Sequence, residues 1–331
     1  FASEVKALMA VTDDIHEFPA GSWYSVRDGF SPFKKLEPGI PLLDDPLIIA
    51  DELRKKLDEA IECRVVSDAM GSWLSGGVDS SVIAVLARKY IRDFHSFVSG
   101  VEGAPDILYG TQMAEFLGTT HHVITVTLQD MLRALPEVIY HLESFDALLV
   151  RSSITNYLTA GAVADYVGSV FSGEGGDELF AGYDYIKELP ESAIQSELMD
   201  ITMRLHNTAL QRVDRSAYAH GIVPMIPFTD MQVVEYAFRI PAKYKLYREN
   251  GKAIEKWILR KAVDGLVPDS ILWRPKAKFW QGAGVKELLH DYAMDAISDA
   301  DFARERNLPN GWQLNSKEEL MYYRIFKEHF G

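Results

Sequence analysis

The chain has 331 residues, of which 47% are hydrophobic and 25% charged, and this composition is typical of a globular protein. No apolar run approaches the roughly 20 residues that a membrane-spanning helix needs. The formal charge of −14 argues against a nucleic-acid-binding surface, because such surfaces are basic. The single cysteine, Cys63, excludes an intramolecular disulfide framework and favours a cytoplasmic protein. Its position near a helix end predicts a small core residue.

The first 45 residues carry weak structural signals. Edge strands are predicted around Pro19 and Gly29, and the proline-rich stretch that follows predicts a linker. The chain opens in mid-pattern at Phe1, which favours a processed or truncated product. We therefore expect a boundary that separates residues 1–45 from one domain over residues 46–331.

A long helix is predicted from Pro46, a residue that suits the first helical position, with Asp45 as the N-cap. Apolar residues then recur every four positions and indicate one buried face. These residues are Ile49, Leu53, Leu57, Ile61 and Val65.

Strands and helices alternate over the next hundred residues. Short apolar strands are predicted at 71–75, 94–100, 121–127 and 168–173. Helices are predicted at 80–91, at 106–118, from the capping box of Thr127 and Asp130 through Glu143, and at 152–166. This alternation predicts an α/β fold, in which a parallel sheet has helices on both faces. The part beyond Tyr183 is predicted to be mostly helical.

The loop SGGVDSS, residues 75–81, follows the first of these strands. Gly76 and Gly77 allow backbone N–H groups to approach an anion, and the helix that begins near Ser80 directs its positive end there. The lysine of the common phosphate-binding loop is absent. Asp79 would repel a phosphate unless Mg²⁺ lay between them, so the loop predicts a magnesium–phosphate site.

A second glycine-rich loop, SGEGGDE at residues 172–178, follows the last predicted strand. Asp177 is suited to be a second magnesium ligand, and Glu174 could be a base or could orient a nucleophile. A solvated acidic turn is the alternative, but three glycines would weaken such a turn without a functional reason. Ligands bind at the carboxyl ends of strands in such sheets, so both loops are expected at one site.

These motifs resemble a known family. SGGVDSS is the pyrophosphate-loop signature of ATP pyrophosphatases, and SGEGGDELFAGY closely resembles the matching loop of glutamine-dependent asparagine synthetases. VIYHLESFDALLVRSSITNYL and IPFTDMQVVEYAF also resemble segments of this family, and the likeness extends over roughly residues 47–331. FASEVKAL and EFPAGSW resemble the end of its amino-terminal glutaminase domain, so residues 1–45 would be a remnant of that domain. The resemblance implies an adenine nucleotide alpha-hydrolase-like fold, with ATP and Mg²⁺ as cofactors.

The resemblance also implies roles for single residues. The residues implied to bind ATP or pyrophosphate are Leu74, Ser75, Gly76, Gly77, Asp79, Ser80, Ser99, Ser172 and Gly173. Asp79 and Asp177 would hold Mg²⁺. Glu174 would assist amine attack on an acyl-adenylate, and Lys276 would contact the leaving pyrophosphate. Arg151, as a further catalytic residue, and Asp230, as a substrate-pocket residue, lie in motifs that face the same pocket.

The implied activity is that of an ATP-dependent amide ligase. It would adenylate the side-chain carboxylate of aspartate, release pyrophosphate and transfer ammonia, which gives asparagine and AMP. The nitrogen would be free ammonia or ammonia supplied by a glutaminase domain or subunit, and a homodimer is left open. The segment AKFWQGAG departs from the serine–aspartate pair of many relatives, so an amide or lactam synthetase for another carboxylic acid is the alternative.

Two other classes are less consistent with the sequence. The acidic charge and single cysteine oppose a tRNA-modifying ATP pyrophosphatase. The full set of Asp79, Glu174, Asp177 and Lys276 opposes a non-catalytic nucleotide-binding regulator, which has no need for all four.

Overall fold

A computed structural model describes residues 1–249, 251–274, 283–284 and 286–331. Its first segment contains helix α1 (Lys6–Met9) and two strands, β1 (Ser22–Ser25) and β2 (Gly29–Pro32). The two strands pair with each other in an antiparallel hairpin, so the predicted edge strands are confirmed. Residues 33–45 contain no helix or strand up to the helix at Pro46.

A five-stranded parallel sheet forms the centre of the molecule. Its strands are β3 (Ala69–Trp73), β4 (Asp93–Gly100), β5 (Thr120–Thr125), β6 (Ser169–Phe171) and β7 (Val223–Met225). Their order is β5-β4-β3-β6-β7, and every pairing is parallel. The direction of the strand order reverses at β3, which pairs with both β4 and β6. The loops that leave β3 and β6 are therefore neighbours at the carboxyl edge, where such sheets bind ligands.

Helices cover both faces of this sheet, as predicted. The helices of this part are α2 (Pro46–Glu62), α3 (Val78–Ala87), α4 (Pro105–Leu117), α5 (Leu128–Leu142), α6 (Ala147–Val163) and α7 (Gly176–Phe180). Met70, Phe94 and Phe171 pack with α2 and α3 on one face. Phe97 and Val170 pack with the end of α6 on the other. Alternate residues of β3, β4 and β6 thus enter separate cores.

The remainder of the chain is mostly helical, as predicted. Its elements are α8 (Glu191–Met203), α9 (Ala209–Tyr218), α10 (Met231–Arg239), α11 (Ala242–Lys245), β8 (Leu246–Glu249), β9 (Lys252–Glu255), α12 (Trp257–Ala262), α13 (Asp269–Leu272), α14 (Lys286–Ala296), α15 (Asp299–Glu305) and α16 (Lys317–Phe330). The antiparallel β8–β9 hairpin and the edge strand β7 were not predicted, because segments of three or four residues are too short to show a period. Across the described parts of the chain, no helix combines the length and apolar character needed to cross a membrane.

Two predicted helix starts are confirmed in detail. The Asp45 carboxylate accepts a hydrogen bond from the Leu47 amide at 2.8 Å and caps α2. Thr127 and Asp130 form the complete capping box at the start of α5. Local side-chain chemistry was sufficient at these positions, since each cap involves residues at most three apart.

Two local predictions were wrong. The helix expected at 152–166 begins at Ala147, because the Asp146 carboxylate accepts a hydrogen bond from the Leu149 amide and starts α6 earlier. Cys63 is exposed and is no core residue. It is the C-cap of α2, two residues beyond Ile61, the last buried residue of that helix, and its thiol contacts the Ala60 carbonyl.

Candidate active site

A cavity of about 950 Å³ lies at the carboxyl edge of the sheet, where β3, β4 and β6 end. This volume is large enough for a nucleotide and a small second substrate. Of the residues predicted from the sequence, the following line it: Ser75, Gly77, Asp79, Ser80, Ser99, Ser172, Gly173, Glu174 and Asp177. The two glycine-rich loops therefore meet at one site, as the strand pattern predicted.

The first loop runs from Leu74 into α3. The Ser80 hydroxyl donates to the Gly77 carbonyl at 3.1 Å and lies 3.3 Å from the Ser75 hydroxyl, so the two serines close the loop.

Leu74 and Gly76 do not line the cavity. Leu74 is fully buried beneath the loop, and Gly76, at φ +68°, is packed against the backbone of Tyr109.

The second loop is packed directly on the first. A side chain at Gly173 would lie 2.8 Å from the Ser80 amide nitrogen, and one at Gly176 would lie 2.5 Å from the Asp79 carboxylate. At Gly173 the contact is with backbone, so that position requires glycine, whereas a side chain at Gly176 would displace the Asp79 carboxylate. These glycines bring the carboxylates of the two loops, Asp79 and Asp177, to the same point.

That point is occupied by the ammonium group of Lys256, a residue that sequence reasoning did not identify. Its Nζ contacts the Asp79 carboxylate and lies 2.5 Å from Oδ1 of Asp177. The side chain of Lys256 is 1% exposed, against 16% for Asp79 and 20% for Asp177. Lys256 lies 177 residues beyond Asp79, and no local pattern connects the two.

Arg212 is a second cation in the cavity that was not predicted. Its guanidinium contacts the Glu174 carboxylate at 2.5 Å, and both side chains are mostly buried. Arg212 belongs to α9, which packs on α6 above the sheet edge. The pair places an acidic group and a basic group side by side in the cavity wall, next to the second loop.

A third cation, Arg274, supports the first loop from the opposite side. It donates to the Ser75 carbonyl at 3.0 Å and pairs with the buried carboxylate of Asp106 at 2.7 Å. Its guanidinium also lies 4.1 Å from the centre of the Tyr109 ring. Arg274 therefore links the loop after β3 to α4, and it was not predicted.

Ser99, the second-last residue of β4, lies on the other side of the cavity. Its hydroxyl accepts a hydrogen bond from Thr159 at 2.6 Å, and both residues are buried. Trp73 and Phe97 line the same region. This part of the wall combines aromatic side chains with hydroxyl groups, which is chemistry suited to a base and its sugar.

A buried dyad adjoins the proposed metal carboxylates. The Tyr183 hydroxyl donates to Glu178 at 2.5 Å, and Tyr183 lines the cavity. Burial, with the neighbouring charge of Asp177, raises the pKa of Glu178 to about 7. The same burial and the nearby carboxylates raise the pKa of the Tyr183 phenol.

Two predicted site residues lie elsewhere, and a third lies outside the described residues. Arg151 does not line the cavity; its guanidinium forms a bidentate ion pair with Glu318 of α16, at 3.0 and 2.5 Å. Asp230 is the N-cap of α10 and pairs with Arg64 at 2.9 Å, away from the cavity wall. Both were selected by motif alone, and their charges are used to join elements. Lys276 lies outside the residues that the structure describes.

The donor set fits Mg²⁺. Carboxylates from two loops already converge on one cation, the Lys256 ammonium, and hard carboxylate oxygens are the ligands that Mg²⁺ prefers. No cluster of three or more His, Cys, Asp or Glu suited to a metal occurs within the described ranges. Two carboxylates are nevertheless sufficient where substrate phosphates complete the shell.

Comparisons with known proteins agree with the motifs. A family model described as asparagine synthase matches residues 52–199 and 189–331. The chain is 34% identical to asparagine synthetase B [glutamine-hydrolyzing] of Escherichia coli (strain K12), over 99% of this chain and 63% of that protein. It is 33% identical to asparagine synthetase [glutamine-hydrolyzing] 2 of Lotus japonicus, over 99% and 60%. It is 35% identical to a probable asparagine synthetase [glutamine-hydrolyzing] of Schizosaccharomyces pombe, over 100% and 65%. The chain thus spans less than two thirds of the length of these relatives.

Proposed function

Because this chain belongs to the asparagine synthase family, we propose that it is an ATP-dependent amide ligase that converts aspartate and ammonia to asparagine. ATP is cleaved to AMP and pyrophosphate in this reaction. The observation that carries the proposal is the meeting of two glycine-rich loops whose carboxylates, Asp79 and Asp177, share one cation at the edge of a nucleotide-sized cavity.

The first step forms an acyl-adenylate. An oxygen of the aspartate side-chain carboxylate attacks the α-phosphorus, and the bond between that phosphorus and the bridging oxygen breaks, so pyrophosphate leaves. The backbone amides of the first loop and the amino end of α3 bind the phosphates. Mg²⁺ held by Asp79 and Asp177 would neutralise charge on the leaving pyrophosphate.

The second step forms the amide. The nitrogen of ammonia attacks the activated carbonyl carbon, the bond to the AMP oxygen breaks, and one proton is released. Glu174 accepts that proton, and Arg212 at 2.5 Å holds its carboxylate in position. The guanidinium also provides positive charge for an anionic substrate in the same part of the cavity.

The source of nitrogen is part of the same proposal. The relatives are named glutamine-hydrolyzing, and this chain spans 60–65% of their length. We propose that ammonia reaches the cavity from a glutaminase domain or subunit. The cytoplasmic location, which the single cysteine favours, stays a prediction, and so does the homodimer that was left open.

The test is ATP–pyrophosphate exchange by the purified chain with Mg²⁺ and a panel of carboxylic acids. We expect exchange with aspartate, and release of AMP when ammonia is added. Glu174→Gln should retain exchange but lower amide formation by roughly 10²–10⁴-fold, because it removes a general base. Glu188→Gln, at an exposed position on the same segment, is the matched control and should behave as the parent chain.

Two outcomes would contradict parts of the proposal. Exchange with a different acid, and none with aspartate, would make the chain an amide or lactam synthetase with another substrate. Normal amide formation by Glu174→Gln would remove Glu174 from the chemistry.

A further inference from the structure

Lys256 is held in place by its backbone as well as by its charge. It precedes α12 in the left-handed conformation, at φ +56°, which is uncommon for a residue with a side chain. Its amide donates to the carbonyl of Phe180 at 3.1 Å, at the end of α7. Asp177 belongs to that same short helix, so Lys256 is fixed relative to one of the carboxylates it contacts.

The second loop also leaves space for this lysine. A side chain at Gly182 would overlap both Cε of Lys256 and the carboxylate of Asp177. A glycine, a strained backbone and an interhelix hydrogen bond therefore all serve to bring one ammonium to the site. Strained backbone of this kind persists where the surrounding structure enforces it, and it is concentrated at functional sites.

Lys256 and a magnesium ion cannot occupy the same point. The ammonium lies between the two carboxylates that the proposed function assigns to Mg²⁺, and a dication there would repel it. The cavity that Lys256 lines is continuous with the phosphate loop, whose residues Ser75, Gly77 and Ser80 are in its wall. A lysine displaced from the carboxylates thus has the phosphate site within the same cavity.

We propose that Lys256 is the mobile cation of the phosphate site: it neutralises Asp79 and Asp177 before substrate binds, and moves to pyrophosphate oxygens when Mg²⁺ arrives with ATP. This inference rests on the proposed function. Lys256, which lies between β9 and α12, would provide the lysine that is absent from the loop SGGVDSS. In the first state Lys256 weakens metal binding, and in the second state it strengthens pyrophosphate binding. Separate measurements of the two affinities therefore distinguish the states.

The experiment measures binding of Mn²⁺ alone, by electron paramagnetic resonance, and of pyrophosphate in the presence of Mn²⁺, by calorimetry. Lys256→Met removes the competing ammonium, so we expect Mn²⁺ alone to bind at least ~10-fold more tightly, a change of about 1.4 kcal/mol. The same variant should bind pyrophosphate with Mn²⁺ at least ~10-fold more weakly, because a charged partner of the phosphates is lost.

Lys261→Met is the matched control, since Lys261 lies on α12 but pairs with Asp264 at 2.9 Å. It should change neither affinity. Lys256→Gln, which keeps hydrogen bonds to the carboxylates without charge, is the second variant if Lys256→Met does not fold; it should shift both affinities in the same directions.

Unchanged or weaker Mn²⁺ binding by both Lys256 variants would overturn the competition between lysine and metal. Unchanged pyrophosphate binding would contradict the proposed movement of Lys256 to the pyrophosphate oxygens. Neither measurement uses aspartate or ammonia, so a chain that fails the exchange test can still support or contradict this inference.

Discussion

Lys245 is a second buried lysine, and its surroundings differ from those of Lys256. Its side chain is fully buried in α11, and its Nζ lies 3.4 Å from the amide oxygen of Gln195 and 5.1 Å from the centre of the Phe238 ring. Gln195 in turn donates to the Phe238 carbonyl at 2.7 Å, which directs its oxygen towards the lysine. Because these partners are neutral, burial lowers the pKa of Lys245 from 10.5 to about 7.

Lys245→Met is expected to stabilise the protein at pH 6–7, by on the order of a few kcal/mol, because it removes a buried charge and keeps the side-chain size. Below pH 7 the lysine is protonated in both the folded and the unfolded state, so its burial is most unfavourable there. Between pH 7 and 10.5 the unfolded chain binds more protons than the folded one, and the free energy of unfolding of the parent therefore rises with pH. The advantage of the variant should shrink across this window and be lost above it.

Urea unfolding of the parent and the variant at several pH values measures this difference. Lys243→Met, at an exposed position of the same helix, is the control and should give a pH-independent difference within about 0.5 kcal/mol. A Lys245→Met difference that is constant from pH 6 to 10 would show that the lysine keeps an ordinary pKa.

Site residues could be predicted from sequence where the chemistry was local. Asp79 and Asp177 stand in glycine-rich loops that directly follow buried strands, and a parallel sheet brings such loops to one edge. Lys256, Arg212 and Arg274 could not be predicted in this way. Each is one charged residue among many, and its role depends on packing between segments far apart in the chain.

At the scale of elements, a buried ion pair joins α6 to the terminal helix α16. The guanidinium of Arg151 contacts both oxygens of Glu318, and the Tyr322 hydroxyl donates to the same carboxylate at 2.7 Å. The side chain of Glu318 is 1% exposed. The pair holds α16 against the helix that borders the cavity, so we infer a structural role for Arg151 rather than the catalytic one implied by the motif.

Breaking this pair from one side is expected to be strongly destabilising. Arg151→Met leaves a buried carboxylate without its guanidinium and should lower the free energy of unfolding by about 3–5 kcal/mol. The double variant Arg151→Met with Glu318→Gln removes both charges and keeps an acceptor for Tyr322, so it should recover much of that loss. A double-mutant cycle by urea unfolding measures the coupling energy.

The exposed pair of Arg324 and Glu305 is the control. It is also bidentate, at 2.9 and 3.0 Å, but its side chains are 41% and 32% exposed, so its loss should lower stability by about 0–1 kcal/mol. Equal losses for Arg151→Met and Arg324→Met would show that burial of the first pair does not matter. A folded double variant without exchange activity would instead return Arg151 to the catalytic residues.

The secondary elements were predictable in proportion to their length and pattern. β4 and α2 combine many residues with a clear period: β4 was found within one residue of its ends, and α2 begins at Pro46 as predicted but ends at Glu62, three residues before Val65, the last residue of the predicted stripe. β7 has three residues, one of them Pro224, and it exists because β6 offers a free parallel edge. Its formation is a tertiary event, which a short local pattern does not encode.

At the scale of the whole molecule, residues 1–45 and the part of the chain that contains the parallel sheet are built differently. Leu42 alone is buried within the first 45 residues, whereas the sheet and its helices form continuous cores. The segment is attached mainly by polar contacts, such as the Glu143 carboxylate that accepts from the amides of Val5 and Lys6 at 3.0 and 2.5 Å. Polar contacts at an exposed surface stabilise weakly. If the boundary predicted at residue 45 is right, residues 1–45 should therefore separate from the rest of the chain at a lower free-energy cost than global unfolding.

We predict that the two parts open independently, and hydrogen exchange followed by mass spectrometry of the intact chain tests this. Backbone amides of β1 and β2 should exchange faster than those of β4 by a factor on the order of 1,000 or more, because local opening needs far less free energy than global unfolding. Peptides from α2, which begins directly after the boundary and buries Ile49, Leu53 and Leu57 completely, serve as the internal control and should exchange as slowly as β4. Equal protection of β1–β2 and β4 would instead make residues 1–45 part of the same cooperative unit as the sheet, and the boundary at residue 45 would be wrong.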